Sequence, residues 1–435
     1  MKLFDLTLQI NGYPLRWARK ELNNILSISE EDFSIYLEAK KKEIVAYHLQ
    51  NNTFYNGIAG NKTIENWEDI PIMKKMHFQR PLECRLSKGF NLKNVYVNKT
   101  SGSSGDPMVF AKDKACHALI WANIIRKFAW HGIDFNRSYQ ARFYGMPLDF
   151  FANKKVRFKD FLSRRYRFNI FNFSDASLQK MVDKFQRTPF DYINGYTNSI
   201  VLLAKYLQKK GLYLNTICPS LKVCIVTSEM LFDLDKLLLE ERFRIPIINE
   251  YGSAELDIIA LESPNGLWKI NSETLFVEIL DENDCVLPYG QEGRIVVTSL
   301  YNKAHPMIRY EVGDIGVLDE KSTLKNQILK KLIGRTNDVA VLPSGKRAPG
   351  MIFYSITKKL FDDEGKVKEF IITQTKTNTF EIDYVSENQL NQYEIERIKE
   401  VFDQYLEPGL YYYFNRKAQI ERNKSGKLKQ FKSLI

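Results

Sequence analysis

Between residues 94 and 132 the chain changes its hydrophobic rhythm twice. "NVYVNK" (94–99) is a short β-branched and aromatic run, and "MVFA" (108–111) is another, so both read as strands. Cys116, Leu119, Ile120, Ile124 and Phe128 then recur at a period near 3.6. That spacing predicts a helix with Asp113 as its N-cap and an end near Gly132. Further on, "SLKVCIVTS" (220–228) and "RIPIINEYG" (244–252) are apolar runs that stop in polar turns, as buried strands do. Helical stretches lie between such runs, notably "SIVLLAKYLQKKG" and "LFDLDKLLLEERF". Strand alternating with amphipathic helix predicts an α/β body with mixed sheets and helices. Two alternating strands, "LFVEILD" and "GRIVVTSL", predict a β-rich addition over 275–300. After "LIGRTNDVAVLPSGK" the pattern becomes "KEFIITQT", "TFEIDYV", a helical 389–405 and "LYYYF", which predicts a compact α+β tail domain. The domains are therefore expected at 1–335 and 339–435, with 336–338 joining them. Residues 1–90 mix helix-like segments with loops, and there is no internal repeat.

Composition narrows the class. The chain has 435 residues, 44% hydrophobic and 26% charged, as an ordinary soluble globular protein does. No apolar run approaches the roughly 18 residues that cross a bilayer. Asp5, Gln9 and Asn11 interrupt the first apolar stretch, so it does not read as a secretory signal. Five scattered cysteines without a CxxC pair fit reduced thiols in a cytoplasm. The net charge of +11 favours anionic partners. Seven basic residues fall in 154–167, among Phe158, Phe161 and Tyr166, and seven more in 416–432. Solvated basic faces account for both clusters. A non-catalytic protein that binds a membrane surface or nucleic acid through them is the alternative class. No zinc-finger, KH or RNP-type motif accompanies either cluster, so nucleic acid is not expected. Contact of 150–171 with a membrane surface stays open.

"KTSGSSGDPM" (99–108) lies between the first two predicted strands. It lacks the lysine and following helix of a Walker loop. Its glycines can still turn successive backbone N–H groups inward, and its hydroxyls add donors for phosphate. A Gly/Ser linker has the same composition. "NEYGSAE" (249–255) puts a tyrosine, a turn glycine, a hydroxyl and a carboxylate at the end of a buried strand. "PMIRYEVGD" (306–314) pairs Arg309 with an Asp after a glycine turn. "GRTND" (334–338) and "NKSGKLKQF" (423–431) complete the series. Singly, Glu255, Asp314, Arg335 and Lys427 each have a plain surface or turn explanation.

In this order the motifs resemble those of the adenylate-forming superfamily of acyl-CoA synthetases and adenylation domains. The branch they are most similar to is that of phenylacetate–CoA ligases and the CapK-type proteins of capsular polysaccharide clusters. "TSGSSGDP" resembles its phosphate loop, "TSEML" (227–231) its adenine-side turn, and "EYGSAE" its YGxTE motif. "MIRYEVGD" resembles RYxxGD, "GRTND" the hinge, "SGKLKQF" the C-terminal lysine motif, and "DYINGYTNSIVLLAKYL" (191–207) the branch's GYPS segment. The resemblance runs from about residue 95 to the end.

The resemblance implies attack of a carboxylate on the α-phosphorus of ATP, giving acyl-AMP, then transfer to CoA or to an amine. The context it suggests is surface polysaccharide or related biosynthesis. Thr100, Ser101, Gly102, Ser103, Ser104 and Gly105 would wrap the phosphates. Glu255 would help hold Mg²⁺, Ser253 would touch the α-phosphate, and Tyr251 would pack beside the adenine, within the strand Asn249, Glu250, Tyr251, Gly252. Ser228 and Glu229 would line the adenine's other side. Asp314 would bind the ribose hydroxyls, with Arg335 beside them. Lys427 would reach in from a mobile lid, 339–435, that turns about Asn337 and Asp338. Arg142, Phe143, Tyr144 and Tyr196 resemble acyl-pocket positions, whose aromatics suggest an apolar or aryl acid; Arg142 suits a second carboxylate or a sugar acid. His131 and His305 read as structural. The chain departs from the pattern at Met108, where many relatives have lysine, and at Asn337, where the hinge is usually acidic. Ser253 and Ala254 replace a commoner bulky-Thr pattern. "ALESPNGLWKI" (260–270) lacks the Cys and His of the branch's zinc site, so no zinc is expected.

Overall fold

The computed structural model describes residues 3–60, 66–100, 107–145, 150–335, 339–349, 367–422, 428 and 430–435. Its centre is a seven-stranded sheet. In spatial order the strands are Arg165–Arg167, Gln140–Phe143, Tyr192–Tyr196, Val223–Thr227, Ile247–Ser253, Asp257–Glu262 and Trp268–Ile270. The first five run parallel and the last two antiparallel. Parallel strands need cover on both faces, which explains their continuous apolar runs. Helices Asp175–Arg187, Thr197–Lys209 and Asp233–Phe243 cover one face, burying Phe185, Leu203 and Leu239 against Phe143, Ile193 and Val226. Helix Lys114–Ala129 covers the other through Cys116, Ile120, Ile124 and Phe128, the predicted stripe. Asp113 caps it, its side chain accepting from the Cys116 N–H at 2.8 Å.

The β-rich addition extends further than 275–300. Leu275–Leu280, Glu292–Ser299, Tyr310–Leu318 and Leu329–Arg335 form a four-stranded antiparallel sheet in that order. Asp314 therefore sits within a strand, not in a surface turn. A hairpin of Val95–Lys99 and Val109–Asp113 packs on this sheet through Phe110. Residues 3–59 are helical, and Leu15, Leu22 and Leu37 pack against Leu119 and Ala122 of helix Lys114–Ala129. The tail carries Tyr411–Arg416, Thr379–Ser386, Val367–Lys376 and Phe431–Ser433 in one sheet, with helix Gln392–Tyr405 laid against it. Ala340, Leu342 and Ala348 join that core, which is separate from those of the large sheets. No described helix is long and apolar enough to cross a membrane.

Candidate active site

Thr100 closes the first hairpin. Its N–H donates to the Met108 carbonyl at 2.9 Å, and its hydroxyl accepts from the Met108 N–H at 2.9 Å. The expected phosphate-loop residues Ser101, Gly102, Ser103, Ser104 and Gly105 lie outside the described residues, on the chain that joins the two strands. Met108 is buried beside Phe110. An apolar residue there packs the root of the hairpin into the core, which a lysine would not do.

"NEYGSAEL" is a second tight hairpin, in which Ser253 pairs with Asp257 across Ala254, Glu255 and Leu256. Asp257 has φ 59°, the left-handed residue that closes three-residue turns. Gly252 is required by close approach, because a Cβ there would lie 2.2 Å from the Asp257 carbonyl oxygen. The Ser253 hydroxyl accepts from the Leu256 N–H at 3.3 Å. Lys112, buried below the turn, pairs with the Asp257 carboxylate and reaches the Ala254 carbonyl at 3.4 Å. Glu255 is buried, and its Oε1 accepts from the Tyr310 hydroxyl at 3.1 Å. The Tyr251 hydroxyl donates to Asp314 Oδ2 at 2.8 Å. Asp314 in turn stands opposite Arg335 across two antiparallel strands; the Arg335 side chain is outside the described ones. Three motifs that are up to 84 residues apart in number (251 to 335) thus meet on two sheets.

The third contact joins the tail. Ser228 is exposed with φ 69°, so "TSE" turns sharply at the carboxyl end of its strand. Glu229 Oε2 accepts from the Asn198 N–H at 2.8 Å, at the N-terminus of helix Thr197–Lys209, where a carboxylate is favoured. Its Oε1 accepts from the Leu428 N–H at 2.9 Å. Gln430 Nε2 donates to Asn198 Oδ1 at 2.9 Å. Lys427, next to Leu428 in the chain, lies outside the described residues, as do Asn337 and Asp338.

A fourth group lines the same strand ends. Arg142 lies over the Tyr144 ring at 4.2 Å, and Tyr144 meets Tyr196 edge to face at 4.9 Å. Asn194 Oδ1 accepts from Tyr144 at 3.0 Å and from Gln140 Nε2 at 3.2 Å. Glu250 faces this group; burial pushes its carboxyl up to about 7, against the opposing pull of Thr227 and Arg142. Phe143 belongs elsewhere. Strand alternation turns it to the opposite face, where it stacks on Phe168 at 4.8 Å in the core.

No protein-family profile matches the chain. Among curated proteins it is 24% identical to the protein CapK of Staphylococcus aureus over 344 residues, 73% of this chain and 70% of that one. It is 23% identical to a phenylacetate–coenzyme A ligase of Pseudomonas putida over 274 residues, covering 61% and 60%. Among solved structures, a 2-hydroxyisobutyryl-CoA ligase in its post-adenylation state superimposes with a TM-score of 0.70 at 16% identity, covering 92% of this chain and 89% of that one. The chain is thus similar to CapK and to phenylacetate–coenzyme A ligases, and it shares its fold with an adenylate-forming CoA ligase. The expected fold class, a large α/β body with a small α+β domain, is the one the chain adopts.

Several residues of the candidate site carried no sequence signal of their own. Tyr310 was visible only as part of "RYEVGD", Lys112 as one more lysine, and Asn194 as the residue before a motif glycine. Arg309, read as pairing with the Asp of its motif, is instead buried behind the site. Its Nη1 donates to the carbonyls of Glu68 and Ile70 at 3.0 and 2.9 Å, and Nη2 lies 3.5 Å from Glu278. His131 Nε2 meets the Glu262 carbonyl at 2.9 Å, and His305 is buried against Arg85.

Proposed function

We propose that the protein activates a small carboxylic acid with ATP to an acyl-adenylate and passes the acyl group to a thiol or an amine. The observation that supports this best is the convergence of Tyr251–Asp314, Glu255–Tyr310 and Glu229–Leu428 at one end of the parallel strands, where open α/β sheets bind ligands. Asp314 accepts the ribose hydroxyls, and Tyr251 fixes the carboxylate that does so. Ser253 faces the α-phosphate from the hairpin turn. The loop from Thr100 to Gly105 cradles the outer phosphates with backbone N–H groups.

Glu255 fits a hard cation. It is a buried carboxylate whose Oε2 takes no hydrogen bond among the described residues, and Mg²⁺ is commonly held by one carboxylate plus substrate phosphates. Such an ion, when bound, neutralises charge on the phosphates. Lys427 brings a compact ammonium between the acid's carboxylate and the α-phosphorus, withdrawing for the second step as 339–435 turns about Asn337 and Asp338. CoA is the thiol acceptor of this reading, and the context is surface-polysaccharide or related biosynthesis in the cytoplasm.

The test is pyrophosphate exchange into ATP driven by a panel of carboxylic acids. Lys427→Ala is expected to lower exchange by on the order of 100-fold or more, while use of preformed acyl-AMP falls much less. Equal loss of both steps removes Lys427 from this role. A lack of exchange with every acid, together with no ATP binding, refutes the reading. A peripheral membrane contact is a second reading, favoured by Phe158 and Phe161, exposed at 63% and 76% beside Arg157 and Lys159. Salt-sensitive sedimentation with anionic vesicles, lost in Phe158→Ser/Phe161→Ser, tests it.

A further inference from the structure

One face of the parallel sheet holds a set of polar groups that the nucleotide does not account for. Gln140 and Arg142 stand beside Arg165 and Arg167 on the neighbouring edge strand, and Arg142 stands beside Asn194 on the other side. Arg167 is fully engaged. Its Nε and Nη2 hold the buried Asp160 at 2.8 and 3.2 Å, and Nη1 donates to the Gly145 carbonyl at 2.9 Å. Arg142 and Arg165 are not. Arg142 Nε is cut off from water without a partner, and Nη1 makes only a 3.4 Å contact to Gln140. Arg165 makes no hydrogen bond among the described residues, and burial with Arg142 nearby lowers its pKa to about 10. Glu250 feels the charge of Arg142, yet no ion pair joins them and its raised pKa makes it a poor counter-ion near neutral pH, while the carboxylate that acts on Arg165, Asp160, is already held by Arg167. An unmet buried donor such as Arg142 Nε is costly, and an acceptor on a ligand would complete it.

We propose that the acid activated here carries a second carboxylate, which Arg142 and Arg165 hold on this face of the sheet, so that the substrate is a small dicarboxylic acid. This rests on the adenylation reading above. A guanidinium fork matches a carboxylate with two parallel hydrogen bonds, and the Tyr144 ring beneath Arg142 orients that fork. The other carboxylate then faces the strand that runs from Glu250 into Tyr251, Gly252 and Ser253. Of the aromatics that suggested an aryl acid, Phe143 is turned into the core. Tyr144 brings its hydroxyl to Asn194, a polar wall for a polar acid. An aryl or alkyl monoacid leaves the same donors unmet, and sites built to hydrogen-bond reject ligands that cannot reciprocate.

The test compares malonate, succinate and glutarate with butyrate and phenylacetate in ATP–pyrophosphate exchange. Each acid is also followed by thermal shift without ATP, on the wild type, Arg142→Met and Arg142→Lys. The expected result is that a diacid has the highest kcat/KM. Arg142→Met lowers that value about 100-fold while changing the monoacids by less than about threefold, and Arg142→Lys recovers part of it. A monoacid preferred by the wild type, with Arg142→Met neutral, overturns the proposal and leaves adenylation standing. Stabilisation of the wild type but not Arg142→Met by a diacid, without exchange from any acid, supports the pocket and refutes adenylation. Neither exchange nor stabilisation overturns both.

Discussion

Arg85 is fully buried and Arg142 is half-buried with its Nε cut off from water, and the two are held in opposite ways. Every nitrogen of the Arg85 fork has an acceptor inside the protein. Nε and Nη2 donate to the carbonyls of Arg80 and Val109 at 2.9 and 2.7 Å, and Nη1 donates to His305 Nε2 at 2.6 Å. No carboxylate is bonded to it, so carbonyl oxygens and one neutral ring are enough to keep this cation inside. Arg142 has one long contact, an aromatic ring below it and an empty Nε. Both are arginines in short extended or turn segments of the same body, and nothing in residue type separates them. The difference is the completeness of the hydrogen-bond set. The complete set makes Arg85 a fastener of the fold, and the incomplete set of Arg142, at the site, suits a group that waits for a ligand; incompleteness alone is no such mark, because the fully buried Arg309 also has Nε and Nη2 without hydrogen-bond partners.

The sharpest way to break that comparison is to remove each fork in turn. Arg85→Met leaves two carbonyls and His305 without donors, and is expected to cost about 3–5 kcal/mol of folding stability. Arg142→Met removes donors that were never met, so its cost is expected to stay below about 1 kcal/mol. Denaturant midpoints at constant m-value measure both. If the two variants lose the same stability, the distinction fails, and Arg142 is a structural residue.

Glu250 gives the second test, through pH. Its folded pKa is raised to about 7 by burial, from an ordinary value of 4.5, despite the hydrogen bond from Thr227 and the field of Arg142, while Asp257 adds to the rise. Between pH 4.5 and 7 the folded protein keeps a proton that the unfolded chain has released. Stability therefore falls as pH rises through that window, by at most about 3 kcal/mol from this group. His48 acts with the opposite sign. It is held neutral down to about 4 by burial, so the unfolded chain binds its proton first, and stability rises with pH between about 4 and 6.5. The wild-type curve is their sum, and Glu250→Gln isolates one part. The stability of Glu250→Gln relative to wild type is expected to climb from pH 4.5 to 7 and then level off. A flat difference across that range would show that Glu250 is ionised and paired in the fold.

Which of these features the sequence discloses depends on how local their cause is. The hairpin of residues 95–113 and the turn at Gly252 are legible because the residues that demand them are adjacent: β-branched runs around a glycine loop, and a glycine three residues before a carboxylate. The long helix Glu30–Asn51 is much less so, because its buried face includes Lys41 and His48 along with Phe33, Leu37 and Ile44. Lys41 belongs there because its ammonium lies 4.3 Å over Trp67 and 4.6 Å over Phe276, partners supplied by distant segments. Arg142 and Phe143 show the same limit at the site. A four-residue strand is too short for alternation to reveal which neighbour faces the pocket. Only its pairing with Asn194 and Arg167 settles that.

Glu229 offers the finest test, because it is a carboxylate of the complete kind beside a site of the incomplete kind. One oxygen takes the Asn198 N–H and the other the Leu428 N–H, so a single side chain ties a helix N-terminus to the tail. Glu229→Gln replaces one acceptor with an NH₂ group that must face a backbone donor. The helix end retains its oxygen if the amide turns that way, and the Leu428 contact is then the one lost. The expected cost is about 1 kcal/mol, with the signature in local exchange more than in global stability. The Leu428 amide should exchange faster in the variant. The Ile372 amide, which donates to the Gln430 carbonyl within the tail sheet at 2.8 Å, should not change. Faster exchange at both would mean that Glu229 supports the folding of the tail itself. Faster exchange at Leu428 alone would identify it as a clasp between the tail and the body, weak enough to open when the tail turns.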